Sequence, residues 1–89
     1  TWDETKFIDG YPGKYVVLAR RHGADWYIAG VNAQKEAIKL NLQLPMFAGK
    51  TATLYVDNQK GEPTKATVKV DKKGIAKVTI QPNGGLIIK

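Results

Sequence analysis

The chain has 89 residues, 43% of them hydrophobic and 25% charged, which fits one small globular domain rather than a disordered segment. Cysteine and serine are absent and His22 is the only histidine, so the sequence excludes disulfides, thiolate metal sites and the usual Ser or Cys nucleophiles. The net charge is +6, but most lysines are isolated and only Arg20–Arg21 and Lys72–Lys73 are adjacent, which favours a solvated surface over a nucleic-acid-binding stripe.

The first half of the chain predicts four strands, beginning with a short apolar run over residues 6–8. The runs Val16–Ala19 and Trp26–Ala29 are apolar at both odd and even positions. This pattern is typical of central strands that are covered on both faces, or on one face by a neighbouring domain. The intervening segment His22–Asp25 predicts a hairpin turn. Ile38–Leu44 alternates strictly between apolar and polar residues, which predicts a strand with one buried and one wet face.

The second half continues this alternation over residues 51–56, 65–70 and 76–80, and it ends in a short apolar run at 85–88. Glycine, asparagine, aspartate and proline cluster between these runs, where turns need a positive or a fixed φ. A single turn at 45–49 is the only helix that the pattern allows. The sequence therefore predicts an all-β fold of about seven or eight antiparallel strands, arranged as a Greek-key-like β-sandwich or a small closed barrel.

The acidic residues do not form a catalytic pair. Asp3 and Glu4 are adjacent and so point to opposite faces of a strand, whereas glycosidases commonly hold two carboxyl groups roughly 5 to 10 Å apart across the sugar. Asp57, Glu62 and Asp71 lie in or beside predicted turns, where aspartate bonds the local backbone. We therefore expect no catalytic, cofactor-binding or metal site in this domain.

Aromatic residues are the remaining candidates for binding, because pyranose rings stack on exposed Trp and Tyr faces. The aromatic candidates are Trp2, Tyr11, Tyr15, Trp26, Tyr27 and Tyr55. Trp26 and Tyr27 are consecutive, so one faces the core and the other the opposite surface, and core packing is the favoured role of Trp26. Exposed apolar residues often mark an interface, and four of them are predicted to pack against a neighbouring domain: Trp2, Phe7, Met46 and Phe47. A carbohydrate-binding module is the alternative function.

An ordered series of short motifs covers nearly the whole chain. The series runs through Thr1–Thr5, Phe7–Gly13, Tyr15–Arg21 with Gly23, Trp26–Asn32, Leu54–Tyr55 and Ile80–Gly85. In this order the motifs closely resemble the C-terminal domain of glycoside hydrolase family 97. Each motif alone is weak, and the specificity comes from their order.

The resemblance implies a parent enzyme with an N-terminal β-sandwich, a central (β/α)8 catalytic barrel and a C-terminal β-sandwich formed by residues 1–89. It implies action on α-glucosides or α-galactosides, with calcium and the catalytic carboxylates held by the preceding domains. Because the family contains inverting and retaining members, the stereochemical course stays open. For this domain the resemblance implies a non-catalytic role, in which it packs against the barrel and stabilises it and supports homo-oligomer contacts.

The resemblance also implies a location in the periplasm of gut-type bacteria. The first residue is Thr1 rather than Met, which predicts a fragment of a longer protein whose targeting signal lies outside this sequence. No run of 18 apolar residues is present, so the sequence predicts no transmembrane helix. We expect neither nucleic acid nor membrane among the partners.

Overall fold

The computed structural model describes residues 2–89, which form eight β-strands and one turn of 3-10 helix. The strands are β1 (Glu4–Tyr11), β2 (Tyr15–His22), β3 (Asp25–Asn32), β4 (Ile38–Gln43), β5 (Thr51–Asp57), β6 (Pro63–Lys69), β7 (Ile75–Ile80) and β8 (Gly85–Ile88), and the 3-10 helix spans Pro45–Phe47. The all-β prediction is confirmed, as is the single helical turn. Thr1, which opens the first motif of the family resemblance, lies outside the described residues.

The strands form two antiparallel sheets that pack as a sandwich. The larger sheet has six strands in the order β1-β2-β3-β8-β5-β6, and the smaller sheet pairs β4 with β7. The closing run of the sequence, β8, is inserted between β3 and β5. Because β1 and β6 leave both edges of the larger sheet open, the fold is a sandwich and not a closed barrel.

The β2–β3 hairpin is set by its two-residue turn. His22 pairs with Asp25, and Gly23 has a φ of +63°, as the first position of a type II′ turn requires. This register places Val17, Ala19 and Ile28 on the inner face of the sheet, where all three are fully buried. The predicted hairpin turn at His22–Asp25 is confirmed.

A β-bulge in β1 changes which residues of that strand face outwards. The pairing with β2 shifts between Phe7 and Asp9, so that Phe7 pairs with Leu18 and Gly10 pairs with Val16. Phe7 and Gly10 therefore lie on the same outer face although they are three residues apart. The residue within the bulge, Ile8, packs against the core.

The core lies between the two sheets and is almost entirely aliphatic. Its largest buried side chains are Val17, Ile28, Leu42, Leu44, Ile80 and Ile88. Gly30 allows the sheets to approach closely, because a Cβ at this position would lie 3.2 Å from Val17 Cγ2 and 3.3 Å from Ile80 Cδ1. The side chains of Met46 and Phe47 are half-buried and pack against this core.

Asn32 is the one buried polar residue in the described part of the chain. Its Nδ2 donates hydrogen bonds to the carbonyl oxygens of Glu36 (2.8 Å), Ile80 (3.2 Å) and Gln81 (3.2 Å), and its Oδ1 accepts one from the backbone N–H of Gln34 (3.0 Å). The amide thus connects the end of β3 to the segment after β7. Since a buried amide without partners is costly, its full complement of bonds fixes both segments in place.

The apolar phase of β6 is only partly buried. Val68 is buried, but Ala66, which belongs to the same phase, is exposed. The larger sheet is six strands wide and faces a sheet of two, so the Pro63 end of the edge strand β6 extends past the core.

Candidate interaction surface

The outer face of the six-stranded sheet carries a continuous row of apolar side chains. Val16 pairs with Val31, Leu18 with Ala29, and Ala29 with Ile87 on the neighbouring strand β8. These cross-strand pairs are direct neighbours on one face of the sheet. We call this row the apolar stripe, and its residues are Phe7, Val16, Leu18, Ala29, Val31, Tyr55 and Ile87.

Several residues of the stripe are open to solvent. Phe7 is 67% exposed, Val31 53%, Ile87 42% and Val16 40%. Single exposed apolar residues are ordinary on protein surfaces, but a contiguous row across several strands marks an interaction site. The stripe is therefore the strongest functional candidate in the described residues.

Two shallow grooves give the stripe its shape. The first has a volume of about 420 Å³ and lies between the stripe and the turn after β1, where Tyr11 and Pro12 line it together with Phe7 and Val31. The second, about 390 Å³, is lined by Val31, Tyr55 and Ile87. Val31 lines both, so the two grooves adjoin at this residue. Since apolar side chains dominate the lining, the surface suits apolar side chains of another protein better than a hydroxyl-rich sugar.

Cationic side chains border the stripe. Arg20 pairs with Tyr27 on the outer face, Lys65 pairs with Tyr55, and the Lys89 Nζ lies 5.3 Å from the centre of the Tyr55 ring. The Arg20 guanidinium lies 5.8 Å from the Trp2 ring centre. Cations thus predominate at the margin of the stripe, although the Asp57 carboxylate also lines the second groove.

Arg21 lies on the other side of β2 and contacts both Asp3 and Glu4, so these two carboxylates meet at one cation and the prediction that they point to opposite faces is wrong. Its Nε donates to Glu4 Oε1 (3.3 Å), one terminal nitrogen donates to the Gly23 carbonyl (2.8 Å), and that same nitrogen lies 3.8 Å from Asp3 Oδ2. The backbone N–H of Gly23 lowers the pKa of Asp3, with Arg21 and His22 as further causes. The hydrogen bond from Arg21 lowers the pKa of Glu4, and Lys6 contributes. These bonds hold the start of β1 against the β2–β3 turn.

The four candidates for interdomain packing fall into two groups. Trp2 and Phe7 lie exposed at the outer face of the six-stranded sheet, near the stripe or within it. Met46 and Phe47 lie elsewhere, half-buried on the 3-10 helix against the core. The structure does not bring the four together. Sequence reasoning missed Val31 and Ile87 as exposed residues, although the apolar residues on both phases of β2 and β3 predicted that one face of these strands meets a neighbour.

Four of the six aromatic candidates are engaged in packing or in a local hydrogen bond. Trp26 packs against the core, as expected, and Trp2 meets Tyr27 at 63° with ring centres 5.3 Å apart. The Tyr15 hydroxyl donates to Asp9 Oδ1 at 3.3 Å. Burial raises the pKa of Tyr15, and the Asp9 charge raises it further. These rings contribute to packing and to local hydrogen bonds.

The described residues contain neither a cluster of metal ligands nor a helix that could span a membrane. Within residues 2–89, no group of three or more His, Cys, Asp or Glu side chains could hold a metal ion. None of the helical structure in this range has the length and apolar character needed to span a bilayer.

The outer face of the smaller sheet is entirely different. Its outward residues alternate with the buried ones, as the sequence predicted for Ile38–Leu44, and five of the six are polar and exposed. The five are Lys39, Asn41, Gln43, Lys77 and Thr79. The sixth, Ile75, lies opposite Gln43 at the start of β7 and is half-buried, so the exposed part of this face is polar.

Comparison with known proteins gives consistent results. A family model described as "Glycosyl-hydrolase 97 C-terminal, oligomerisation" matches residues 1–89. A retaining alpha-galactosidase of Bacteroides thetaiotaomicron is 33% identical to the chain over 95 residues, covering 99% of the chain. The crystal structure of a beta-arabinopyranosidase superimposes with a TM-score of 0.90 and 60% identity, again over 99% of the chain. The chain spans 14% of the length of each of these two proteins.

Proposed function

Since the chain belongs to the C-terminal, oligomerisation domain family of family 97 glycoside hydrolases and is a non-catalytic domain, we propose that it packs against the catalytic barrel of its own polypeptide through the apolar stripe and stabilises that barrel. In this proposal, residues 1–89 form a single C-terminal domain of a larger multidomain enzyme. Docking through the stripe would hold the domain in one orientation relative to the barrel and leave other surfaces for homo-oligomer contacts.

The exposed apolar stripe is the observation that carries the proposal. Phe7 and Val31 are more than half exposed, whereas the exposed outward positions of the smaller sheet hold only polar residues. An apolar row of this kind gains roughly 25 cal/mol for each Å² that a partner removes from water. Barrel docking gives the stripe this cover.

The activity of the parent enzyme is part of the same proposal. The similar proteins are described as an alpha-galactosidase and a beta-arabinopyranosidase, and we propose a parent that hydrolyses a related glycoside, with α-glucosides as the other candidate. We further propose that the parent works in the periplasm, with calcium and the catalytic carboxylates in its preceding domains. Assays of the full-length enzyme on nitrophenyl α-galactoside, arabinopyranoside and α-glucoside would identify the substrate.

The docking proposal is tested with Val31→Lys in the full-length enzyme. We expect a lower thermal midpoint of the parent and faster proteolysis next to this domain, because a lysine in the stripe would be buried at the interface without a partner. The control is Thr79→Lys, which adds the same charge on the polar face and should change neither result. An unchanged midpoint for Val31→Lys would contradict docking through the stripe.

The oligomeric state distinguishes the two partners of the stripe. If the barrel covers the stripe, Val31→Lys loosens the domain within each subunit, as proteolysis would report. If a second copy of the domain covers it, light scattering would show dissociation into subunits while the domain stays resistant to protease. The second result would replace barrel docking by a direct contact between domains.

A further inference from the structure

Two adjacent arginines have opposite environments. Arg21 has Asp3, Glu4 and the Gly23 carbonyl as partners. Arg20 points to the outer face, and no hydrogen bond or ion pair among residues 2–89 involves its guanidinium. Its Nε is buried and has no acceptor in this range. A guanidinium carries five donors in a fixed planar arrangement, so Arg20 has a large unmet capacity for hydrogen bonds.

Arg20 is also held in place. Its guanidinium lies 5.8 Å from the Trp2 ring centre, and Trp2 in turn contacts Tyr27, the cross-strand neighbour of Arg20. Stacking on aromatic rings reduces the freedom that an arginine loses when it binds, and a planar guanidinium matches a carboxylate with two parallel bonds. The site is therefore a preformed cation beside the apolar stripe.

Charge indicates what kind of surface meets this cation. The outer face of the larger sheet carries four cationic side chains, Arg20, Lys65, Lys69 and Lys89, against the carboxylates of Asp25 and Asp57. The Asp57 carboxylate already accepts a bond from the Gly85 N–H at 3.3 Å. A second copy would bring the same basic face and a net charge of +6. Like charges across an interface are unfavourable, so an acidic partner fits better than a second copy.

The area of the apolar stripe also favours a domain of the same polypeptide over a separate protein as its partner. Five strands at about 4.8 Å spacing and two rows of side chains roughly 7 Å apart give a stripe on the order of 300 Å². A stable association between separate proteins buries about 800 Å² on each partner. Contacts between domains of one polypeptide are as small as roughly 300 Å² on each side. The stripe matches a contact between tethered domains.

We propose that Arg20 binds a carboxylate on the domain that covers the apolar stripe within the same polypeptide. This inference rests on the proposed docking function and adds the chemistry of the partner: an apolar surface with an aspartate or glutamate at the margin that meets Arg20. Arg20 then acts as the positioning residue that sets the orientation of the docked domain.

The test uses R20K in the full-length enzyme together with a zero-length carbodiimide. The reagent activates a carboxylate, and a lysine amine in contact with it forms an amide with loss of one water. We expect mass spectrometry to find a cross-link from position 20 to an aspartate or glutamate outside residues 1–89, within a single polypeptide. The wild type provides the matched control, because a guanidinium does not couple. Lys39, on the polar face, reports the background.

Other outcomes would overturn the inference. A cross-link from position 20 between two polypeptides would assign the carboxylate to a second copy. If circular dichroism shows that R20K is folded and no cross-link from position 20 exceeds the Lys39 background, then no carboxylate contacts position 20 and the inference is wrong. If Val31→Lys still lowers the thermal midpoint in that case, docking through the stripe stands and only the role of Arg20 fails.

Discussion

The two outward faces of this sandwich differ in the polarity of their exposed side chains. The exposed side chains of the smaller sheet, such as Lys39, Asn41 and Thr79, are polar, while the larger sheet exposes Phe7, Val31 and their apolar neighbours. Both faces belong to one chain and both look away from the core. The difference shows that the polarity of an outward strand face reports what covers it, water in one case and protein in the other.

Strand β3 has a fully buried residue on one face and an exposed apolar residue on the other. Substitutions at these two positions should differ most in their effect on the free energy of unfolding. Ile28→Ala should lower the free energy of unfolding of the chain by about 3 to 4 kcal/mol, because Ile28 is fully buried and its loss leaves a cavity. Val31→Ala, on the same strand but facing outwards, should cost less than about 0.5 kcal/mol. Urea unfolding followed by circular dichroism measures both. Equal losses would mean that the stripe is part of the core of this chain rather than a surface that awaits a partner.

The buried amide of Asn32 gives the next largest effect. In Asn32→Asp, a carboxylate oxygen would replace the Nδ2 group that now faces the carbonyl oxygens of Glu36, Ile80 and Gln81. We expect a loss of about 2 to 3 kcal/mol at neutral pH, since the acceptors lose their donor and face a charge. The loss should shrink in acid, where the carboxyl group becomes protonated.

The matched control is Asn41→Asp on the polar face of the smaller sheet, where Asn41 is exposed. Its unfolding free energy should change by less than about 0.5 kcal/mol. If Asn32→Asp were equally mild, the hydrogen bonds of Asn32 would not be what fixes the end of β3.

Most of the strands could be predicted, because apolar and polar residues alternate along them. Residues 38–44 and 76–80 alternate cleanly, and the structure turns the predicted phase of both towards the core, where Ile38 and Leu40 are half-buried and the others buried. The pairing of β8 between β3 and β5 could not be predicted, since it depends on contacts far apart in the sequence. The bulge at Ile8 could not be predicted either, because a shift of strand register leaves no periodic pattern of apolar residues in the sequence.

The candidate surface could be predicted only in part from the sequence. Apolar residues on both phases of β2 and β3 indicated that these strands meet a neighbour, and this explains Val16 and Val31. Individual exposure was harder to predict. Met46 and Phe47 resemble interface residues in a loop, but the 3-10 helix turns them towards the core. Only the three-dimensional arrangement distinguishes an apolar residue that fills the sandwich from one that awaits a partner.

A third test asks whether the stripe is adhesive when nothing covers it. In the isolated chain, Val31→Lys should change the unfolding free energy by less than about 0.5 kcal/mol, because Val31 is 53% exposed. It should nevertheless reduce concentration-dependent self-association in analytical ultracentrifugation, since it places a charge in the centre of the apolar row. Thr79→Lys should leave self-association as in the wild type. If both variants self-associated to the same extent, the apolar stripe would not be more adhesive than the polar face of the smaller sheet.

The smallest effect concerns the start of β1, where Asp3 and Glu4 pair with Arg21 directly after Trp2 in the sequence, and we expect these ion pairs to help hold Trp2 in place. Hydrogen bonds and Arg21 lower the pKa values of Asp3 and Glu4 in the folded chain, so their contribution to stability is fully present above the ordinary carboxyl range. It is lost as the pH falls through the lowered values, below roughly pH 4. We expect the Trp2 indole NMR signal to shift in that range while the amide of Ile28 stays protected from exchange. In the double variant Asp3→Asn and Glu4→Gln the acid-dependent shift should disappear. If it persists with the same midpoint, these carboxylates do not hold the aromatic ring that positions Arg20.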